Sequence, residues 1–257
     1  MIAGTSGDDF IVGGTAYLLG SSEYLKSANV MSGGAGNDRY WVNHADDSVI
    51  ELPNEGYDIV YAEVSWDLAA VSDVDELRAD RADPIELSGN DLDQRLIGSS
   101  GGNFLRGRGG ADDLNGDQGD DVIDGGAGDD TIVGGRGRDL LIGGDGADTF
   151  VFESRFDVGI GATRDVIRDF EIGFDTLSFE NFGKMTVTVA DFGSTLIYQL
   201  DLGRNGTIDG EVELLVGRGN TVVGGPDADR LTGGSGKDEM EGGPAAMRSR
   251  EPVAMMY

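Results

Sequence analysis

A nine-residue period dominates this chain. Six consecutive segments, starting at Gly98, Gly107, Gly116, Gly125, Gly134 and Gly143, read GSSGGNFLR, GRGGADDLN, GDQGDDVID, GGAGDDTIV, GGRGRDLLI and GGDGADTFV without an insertion. They follow the pattern G-G-x-G-x-D-x-U-x, in which U is a large apolar residue. A decayed frame, GNDLDQRLI, starts at Gly89, and separate copies start at Gly4, Gly33, Gly224 and Gly233. Repetition at one fixed period means that a single small unit is stacked on itself, each copy burying the apolar face of the next.

The physics of one unit is set by its composition. The first six residues, rich in Gly, make a turn, and the last three make a very short strand with U on one face. Two units complete one turn of a flattened coil, so residues 18 apart stack as neighbouring parallel strands about 4.8 Å from one another. Leu105, Ile123 and Leu141 then form one inward column, and Leu114, Ile132 and Phe150 the facing one. The expected fold class is all-β: a parallel β-roll of nonapeptide repeats with an appended β-rich capping segment. Outward positions differ between the two sheets. One carries Phe104, Val122, Leu140 and Ile142, the other Asp113, Asn115, Thr131, Val133, Thr149 and Val151. An apolar stripe of that size seldom stays wet, so the segment after residue 152 is expected to cover it.

Five regions are expected. Residues 1–97 hold degenerate repeats and an irregular β segment with strand-like pieces such as DIVYAEVSW, and residues 98–151 form the regular roll. Residues 152–216 leave the period and read as short strands, VIRDF, DTLSF, MTVTV, STLIYQL and EVELLV, that cap it. Residues 217–243 are a short second repeat run, and 244–257, with two prolines and no apolar period, a flexible tail.

Charge narrows the function. With 48 acidic against 19 basic residues the formal net charge is -29, a surface that repels nucleic acid and anionic bilayers. Self-repulsion of that size opposes any compact state unless cations belong to it. The chain has no cysteine, so thiolate sites are out and hard oxygen ligands remain, which suit calcium or magnesium. Candidate ligands are the sixth residues of the repeats, Asn103, Asp112, Asp121, Asp130, Asp139 and Asp148, and those of the later copies, Asp229 and Asp238. Carbonyls of the turn glycines join them: Gly107, Gly109, Gly116, Gly125, Gly126, Gly128, Gly134, Gly135, Gly137, Gly143, Gly144 and Gly146.

The 18-residue stacking pairs Asn103 with Asp121, Asp112 with Asp130, Asp121 with Asp139, and Asp130 with Asp148. Without an ion such carboxylates repel by roughly 1 kcal/mol in water and about 3 at an effective dielectric of 20. A bound dication reverses the sign, so metal binding and folding become one equilibrium. Asn103 lacks the charge, and its site is expected to be the weakest. The competing reading, a solvated acidic linker, gives no reason to keep an apolar residue at the eighth position of every nine-residue frame.

Other motifs carry less. DLGRNGTIDGEV partly fits a calcium loop at Asp201, Asn205, Gly206 and Asp209, but Gly203 and Val212 break it, and Asn205-Gly206 favours a plain hairpin turn. GSSGG places Ser100 in a formal G-x-S-x-G, yet it is repeat phase rather than a strand-to-helix elbow. The single histidine, His44, and the absence of H-E-x-x-H exclude a zinc protease, and Asp238 after Lys237 spoils a phosphate loop. Tyr40, Trp41 and Trp66 are expected in the core, with a sugar-binding platform as the alternative. No transmembrane run exists, and the amino terminus has neither the basic nor the apolar region of a cleavable signal.

These repeats resemble those of the RTX (repeats-in-toxin, hemolysin-type) calcium-binding proteins. The stretch GADTFVFESRFDVGIGATRDVIRDFEIGFDTLSF resembles the segment after the repeats in serralysin-type proteases and mannuronan epimerase modules. The resemblance implies that this stretch caps the roll and that Asp148, Asp165, Asp169 and Asp175 help bind calcium; taken alone, they read equally well as strand-end and turn aspartates. It also implies export, without a cleavable leader, by a type I secretion apparatus that reads an uncleaved carboxy-terminal signal. Glu251, Val253, Ala254, Met255, Met256 and Tyr257 echo that signal, whereas Arg248, Arg250 and Pro252 depart from it. The expected function is that of a secreted, extracellular module that folds on several calcium ions and is no enzyme by itself. The alternative is the detached repeat domain of a secreted protease, lipase or epimerase.

Overall fold

The computed structural model describes residues 2–4, 7, 9–12, 15–17, 24–26, 28–68, 72–171, 173–182, 185–191, 195–202, 206–215, 220–223, 230–232 and 238–241. Of the strands at 15–17, 24–26, 220–223, 230–232 and 238–241, the backbone alone is described.

Short strands separated by tight turns wind into a roll of two long sheets, with a three-stranded parallel sheet of Ile2–Ala3, Val30–Ser32 and Ser48–Val49 and an antiparallel pair Thr15–Tyr17 and Tyr24–Lys26 at the upstream end. One sheet is parallel throughout and runs Phe10–Val12, Arg39–Val42, Ile59–Ala62, Glu76–Ala79, Arg95–Ser99, Asp113–Asp117, Thr131–Val133, Thr149–Phe152, Thr176–Phe179, Asn220–Val223, Asp238–Glu241. The facing sheet runs Trp66–Asp67, Glu86–Ser88, Phe104–Gly109, Val122–Ala127, Leu140–Asp145, Asp165–Ile167, and then Gly210–Leu215, Thr195–Asp201, Thr186–Asp191 and Arg230–Thr232. The hairpin Thr195–Asp201 to Gly210–Leu215 and the pair Thr186–Asp191 to Thr195–Asp201 are antiparallel. A three-residue 3-10 turn at Gly161–Thr163 is the one helical element among the described residues.

The register puts residues 18 apart side by side in the repeats. Leu105 pairs with Ile123 and Ile123 with Leu141, while Leu114 pairs with Ile132 and Ile132 with Phe150. All six are 0% exposed, and burying a side chain of this size contributes about 1.5–3 kcal/mol. The columns do not stop at the regular repeats. The second continues upstream through Leu96, Leu77, Val60 and Tyr40 to Ile11, and downstream to Leu177. The first continues through Ile167 to Leu214.

Residues 42–88, irregular in sequence, therefore supply ordinary turns of the roll, with longer loops between strands. The turn glycines explain the density of that residue. Gly128, at the fourth position of its repeat, has φ +131, and a Cβ there would run into the carbonyl of Gly110 one coil earlier. At the second position Arg108 and Asp117 hold φ of 85 and 73 without glycine, a left-handed conformation that costs roughly 1 kcal/mol or more per residue.

Two expectations are corrected. The segment after residue 152 does not fold over Phe104, Val122, Leu140 and Ile142, which stay half-exposed. It lengthens both sheets instead, Val166 pairing with Leu140 and Glu213 with Val166. Lateral stacking along the ladder shields the stripe, and the Arg106 guanidinium lies 4.9 Å from the centre of the Phe104 ring. Trp41 is not in the core. It sits on the outer face, stacked 4.2 Å from Tyr61 with its indole N–H donating to Asp80, while Tyr40 and Trp66 are buried.

Candidate metal centre

The x-U-x strand that ends each repeat carries U inward, and this fixes the residue two positions before U at the corner of the coil, where it too is buried. Asn103, Asp112, Asp121, Asp130, Asp139 and Asp148 are between 1% and 3% exposed. One oxygen of each carboxylate has a defined partner. Asn103 N–H donates to Asp121 Oδ1 (2.6 Å), Asp112 N–H to Asp130 Oδ1 (2.8 Å), Asp121 N–H to Asp139 Oδ1 (2.9 Å) and Asp130 N–H to Asp148 Oδ1 (3.0 Å). These are the four pairs that the 18-residue stacking brings together.

The row then runs into the downstream segment. Asp139 N–H donates to Asp165 Oδ1 (2.8 Å) and Asp148 N–H to Asp175 Oδ1 (3.0 Å). Asp169 stands beside the row, each of its oxygens accepting an N–H, from Gly143 and from Gly144. Asp229 lies outside the described residues, and of Asp238 only its strand backbone is described. Asp201 and Asp209 brace the hairpin turn: Gly206 N–H donates to Asp201 and Leu202 N–H to Asp209.

The second oxygen of each carboxylate is what makes the row chemically unusual. Oδ2 of Asp112, Asp121, Asp130, Asp139, Asp148 and Asp165 is buried and has no hydrogen-bond partner. A Cβ added to Gly116 would meet Asp121 Oδ2 and, at 2.5 Å, the carbonyl oxygen of Gly134; one added to Gly125 would meet Asp130 Oδ2 and, at 2.6 Å, the carbonyl of Gly143. Carboxylate and carbonyl oxygens thus converge on spots that only glycine leaves open. Isolated ionised carboxylates do not persist in such surroundings. Loss of water drives the carboxyls upward, against the backbone N–H bonds: to about 7 at Asp112, about 8 at Asp121, about 6 at Asp130 and Asp139, about 7 at Asp148 and about 8 at Asp165. Each group must take up a proton or face a cation. An all-oxygen set of carboxylates and carbonyls fits calcium, which accepts six to eight oxygens.

Asn103 differs as its chemistry requires. Its Oδ1 accepts from Ser99 N–H (2.7 Å) and faces Gly98, the first glycine of its repeat, as the Oδ2 of each aspartate does, while its Nδ2 is buried without a partner. The amide oxygen carries no formal charge to offer a cation.

Sequence reasoning left out Asp38, Asp58 and Asp75, which extend the row upstream: Asp38 N–H donates to Asp58 Oδ1 (2.8 Å) and Asp58 N–H to Asp75 Oδ2 (2.7 Å). Asp38 is the sixth residue of the Gly33 copy. Asp75 has no repeat glycines around it and Asp58 only Gly56, at the fourth position of the frame, yet Asp58-Ile59-Val60 and Asp75-Glu76-Leu77 keep the D-x-U tripeptide of Asp112-Asp113-Leu114. The tripeptide, scanned without the glycines, finds them.

Fold and site together define a parallel β-roll whose corners present all-oxygen sites suited to calcium. The family model for the RTX calcium-binding nonapeptide repeat matches residues 1–16, 26–48, 88–123, 124–154 and 216–244, just over half of the chain. The chain belongs to that family, whose repeats bind calcium. Among solved structures it is similar to two repeat subunits of the Azotobacter vinelandii mannuronan C5-epimerase. Each is 34% identical; one match covers 49% of this chain and 71% of the subunit with a TM-score of 0.23, the other 53% and 86% with a TM-score of 0.26. No curated protein matches the chain.

Proposed function

We propose that the chain is an exported module whose native state assembles around calcium outside the cell, and that its role is structural or binding rather than catalytic. The observation that carries this reading is the row of buried Oδ2 atoms without hydrogen-bond partners. It makes the folded state depend on an ion that is scarce in the cytosol, so the chain stays unfolded there and passes a type I secretion channel as an extended polymer. With no cysteine and one histidine the chain offers no thiol nucleophile and no second imidazole. No helix among the described residues is long and apolar enough to cross a membrane.

Calcium titration of the metal-free chain, monitored by far-UV circular dichroism, is expected to give a cooperative gain of β signal that magnesium does not reproduce. A calcium-free protein already fully β-structured at neutral pH would overturn the folding part. Removing residues 244–257 is expected to block export from cells carrying such an apparatus; undiminished export would overturn the secretion part.

A further inference from the structure

The upstream turns contain a buried acidic cluster unlike those of the regular repeats. Asp38, Glu51 and Asp58 are 0%, 0% and 1% exposed, and one carboxylate oxygen from each lies within 4.8 Å of the other two. Asp38 and Asp58 are consecutive members of the corner row. Glu51 is an intruder. It stands 18 residues after Gly33, where the next coil has its first glycine in the regular run, and Gly33 N–H donates to its Oε1 at 3.2 Å. Its Oε2 is buried and has no hydrogen-bond partner.

An independent sign of a ligand comes from Tyr40. This residue occupies the inward U position that Ile11 and Val60 fill in the neighbouring coils, and it is 0% exposed. Its hydroxyl is buried and has no hydrogen-bond partner. A buried hydroxyl left in that condition costs stability, and phenylalanine would fill the same core space without that cost. The hydroxyl is aimed at the cluster: a Cβ on Gly33 would meet Asp38 Oδ2 and, at 2.5 Å, the Tyr40 hydroxyl oxygen. Carboxylate and phenol oxygens therefore converge on the glycine whose N–H holds Glu51.

We propose that Asp38, Glu51, Asp58 and the Tyr40 hydroxyl form a separate calcium site, built from three carboxylates where the repeats use aspartate pairs and glycine carbonyls. Three negative groups in one dry spot demand a cation more strongly than two do. Magnesium holds on to several waters and demands near-ideal octahedral geometry, which a cluster shut off from solvent does not offer. Burial, opposed by the Gly33 N–H and reinforced by Asp58 and Asp38, pushes the Glu51 carboxyl up to about 8, as the lack of a counter-charge requires. The site joins a repeat copy to an irregular turn: Asp38 and Tyr40 lie within a segment that the repeat family model matches, Glu51 and Asp58 outside any.

The test uses the full chain, with calcium counted by equilibrium dialysis and the cluster probed by terbium luminescence excited through tyrosine. Glu51→Gln keeps the shape and removes a charge. It is expected to bind one calcium ion fewer at saturation, with the calcium-saturated circular dichroism unchanged. Tyr40→Phe keeps the core and removes one oxygen; it is expected to lower terbium emission and to weaken that one ion about tenfold. Asp130→Ala serves as the contrast, losing calcium in the regular repeats while keeping the tyrosine-excited terbium signal. Wild-type calcium stoichiometry in a folded Glu51→Gln overturns the proposal. Should Glu51→Gln fail to fold, Tyr40→Phe decides alone, and unchanged emission and affinity in that variant overturn it.

Discussion

The coils between Asp112 and Asp148 and the coil between Ser72 and Gln94 share one backbone plan and solve its buried corner in opposite ways. In the first, an aspartate sends Oδ1 to the N–H of the preceding coil and leaves Oδ2 buried without a partner. In the second, Gln94 takes the sixth position, and an amide network closes on itself. Gln94 Nε2 donates to the Val74 carbonyl (3.2 Å) and to Asn90 Oδ1 (2.9 Å), Asn90 N–H donates to Gln94 Oε1 (2.9 Å), and Asn90 Nδ2 donates to the Ser72 carbonyl (2.8 Å). The strand register passes through both without a break. A roll of this kind therefore has no intrinsic need for calcium. The need is written into particular corners by the choice of a carboxylate, which can accept hydrogen bonds but cannot donate the one that would satisfy its neighbour.

The largest expected effect of this contrast is on the pH dependence of the metal-free chain. Loss of water raises the carboxyls of Asp112, Asp121, Asp148 and Asp165 to between about 7 and 8. For groups raised on folding, protonation favours the folded state. The stabilisation is complete below the unfolded carboxylate value near 4 and is lost as pH climbs through the folded values. Chelated protein should thus gain β structure and urea resistance on acidification from about pH 8 to about pH 5, while calcium-loaded protein loses ions over the same window. Chelated stability that is flat, or that rises with pH in this window, would mean the buried oxygens are not in need of a counter-charge.

Moving the aspartate chemistry into the neutral coil is expected to have the next largest effect. Gln94→Asp removes the donors to Val74 and Asn90 and buries a charge in their place. It should destabilise the chelated chain, held folded at mildly acidic pH, by on the order of 3 kcal/mol. Saturating calcium is expected to restore most of that, because Asp112 Oδ1 still accepts the N–H of residue 94 and a new acidic pair is complete. Urea midpoints in chelator and in calcium measure the difference; an equal loss in both would show that the amide network was needed for its shape alone. Asp130→Ala works in the opposite direction, taking a carboxylate from the pairs with both Asp112 and Asp148. The calcium midpoint is expected to rise about tenfold or more, and Asn103→Ala should move it far less. A larger shift from Asn103→Ala than from Asp130→Ala would reverse the ranking of the corners.

The same contrast explains what was legible in the amino-acid sequence. Where Gly, Asp and U recur together, as from Gly98 to Val151, columns, register and acid pairs can all be read from spacing, because every coil repeats one backbone. Upstream, insertions such as that between Trp66 and Glu76 destroy the period, so Val60, Leu77 and Asp58 read as fragments. They nevertheless join the same columns and the same row, since a parallel pairing of four residues per strand suffices and longer loops are accommodated between the strands. Glu51 was invisible for a different reason. It sits where a glycine is expected and comes near Asp38 and Asp58 only through the coiling. The fate of the outward stripe was also hidden, because apolar residues facing out give no sign of whether a partner segment covers them or their own lateral neighbours do.

That stripe supplies the smallest expected effect. Leu140 lies half-exposed between Val122 and Val166 on the outer face, so an aspartate there loses some lateral packing and adds a charge to a surface already rich in them. Its neighbours across the ladder are apolar, leaving no carboxylate directly opposite to repel it. Leu140→Asp is expected to cost under about 1 kcal/mol in calcium, within the range of surface substitutions. It should leave the protease resistance of residues 152–216 unchanged, because Asp165–Ile167 is held by strand pairing and by the Asp139-to-Asp165 bond rather than by cover over the stripe. Selective cleavage after Arg155, Arg164 or Arg168 in the variant would mean that the outer face helps to hold the downstream segment after all. The corner row would then share that task with the stripe.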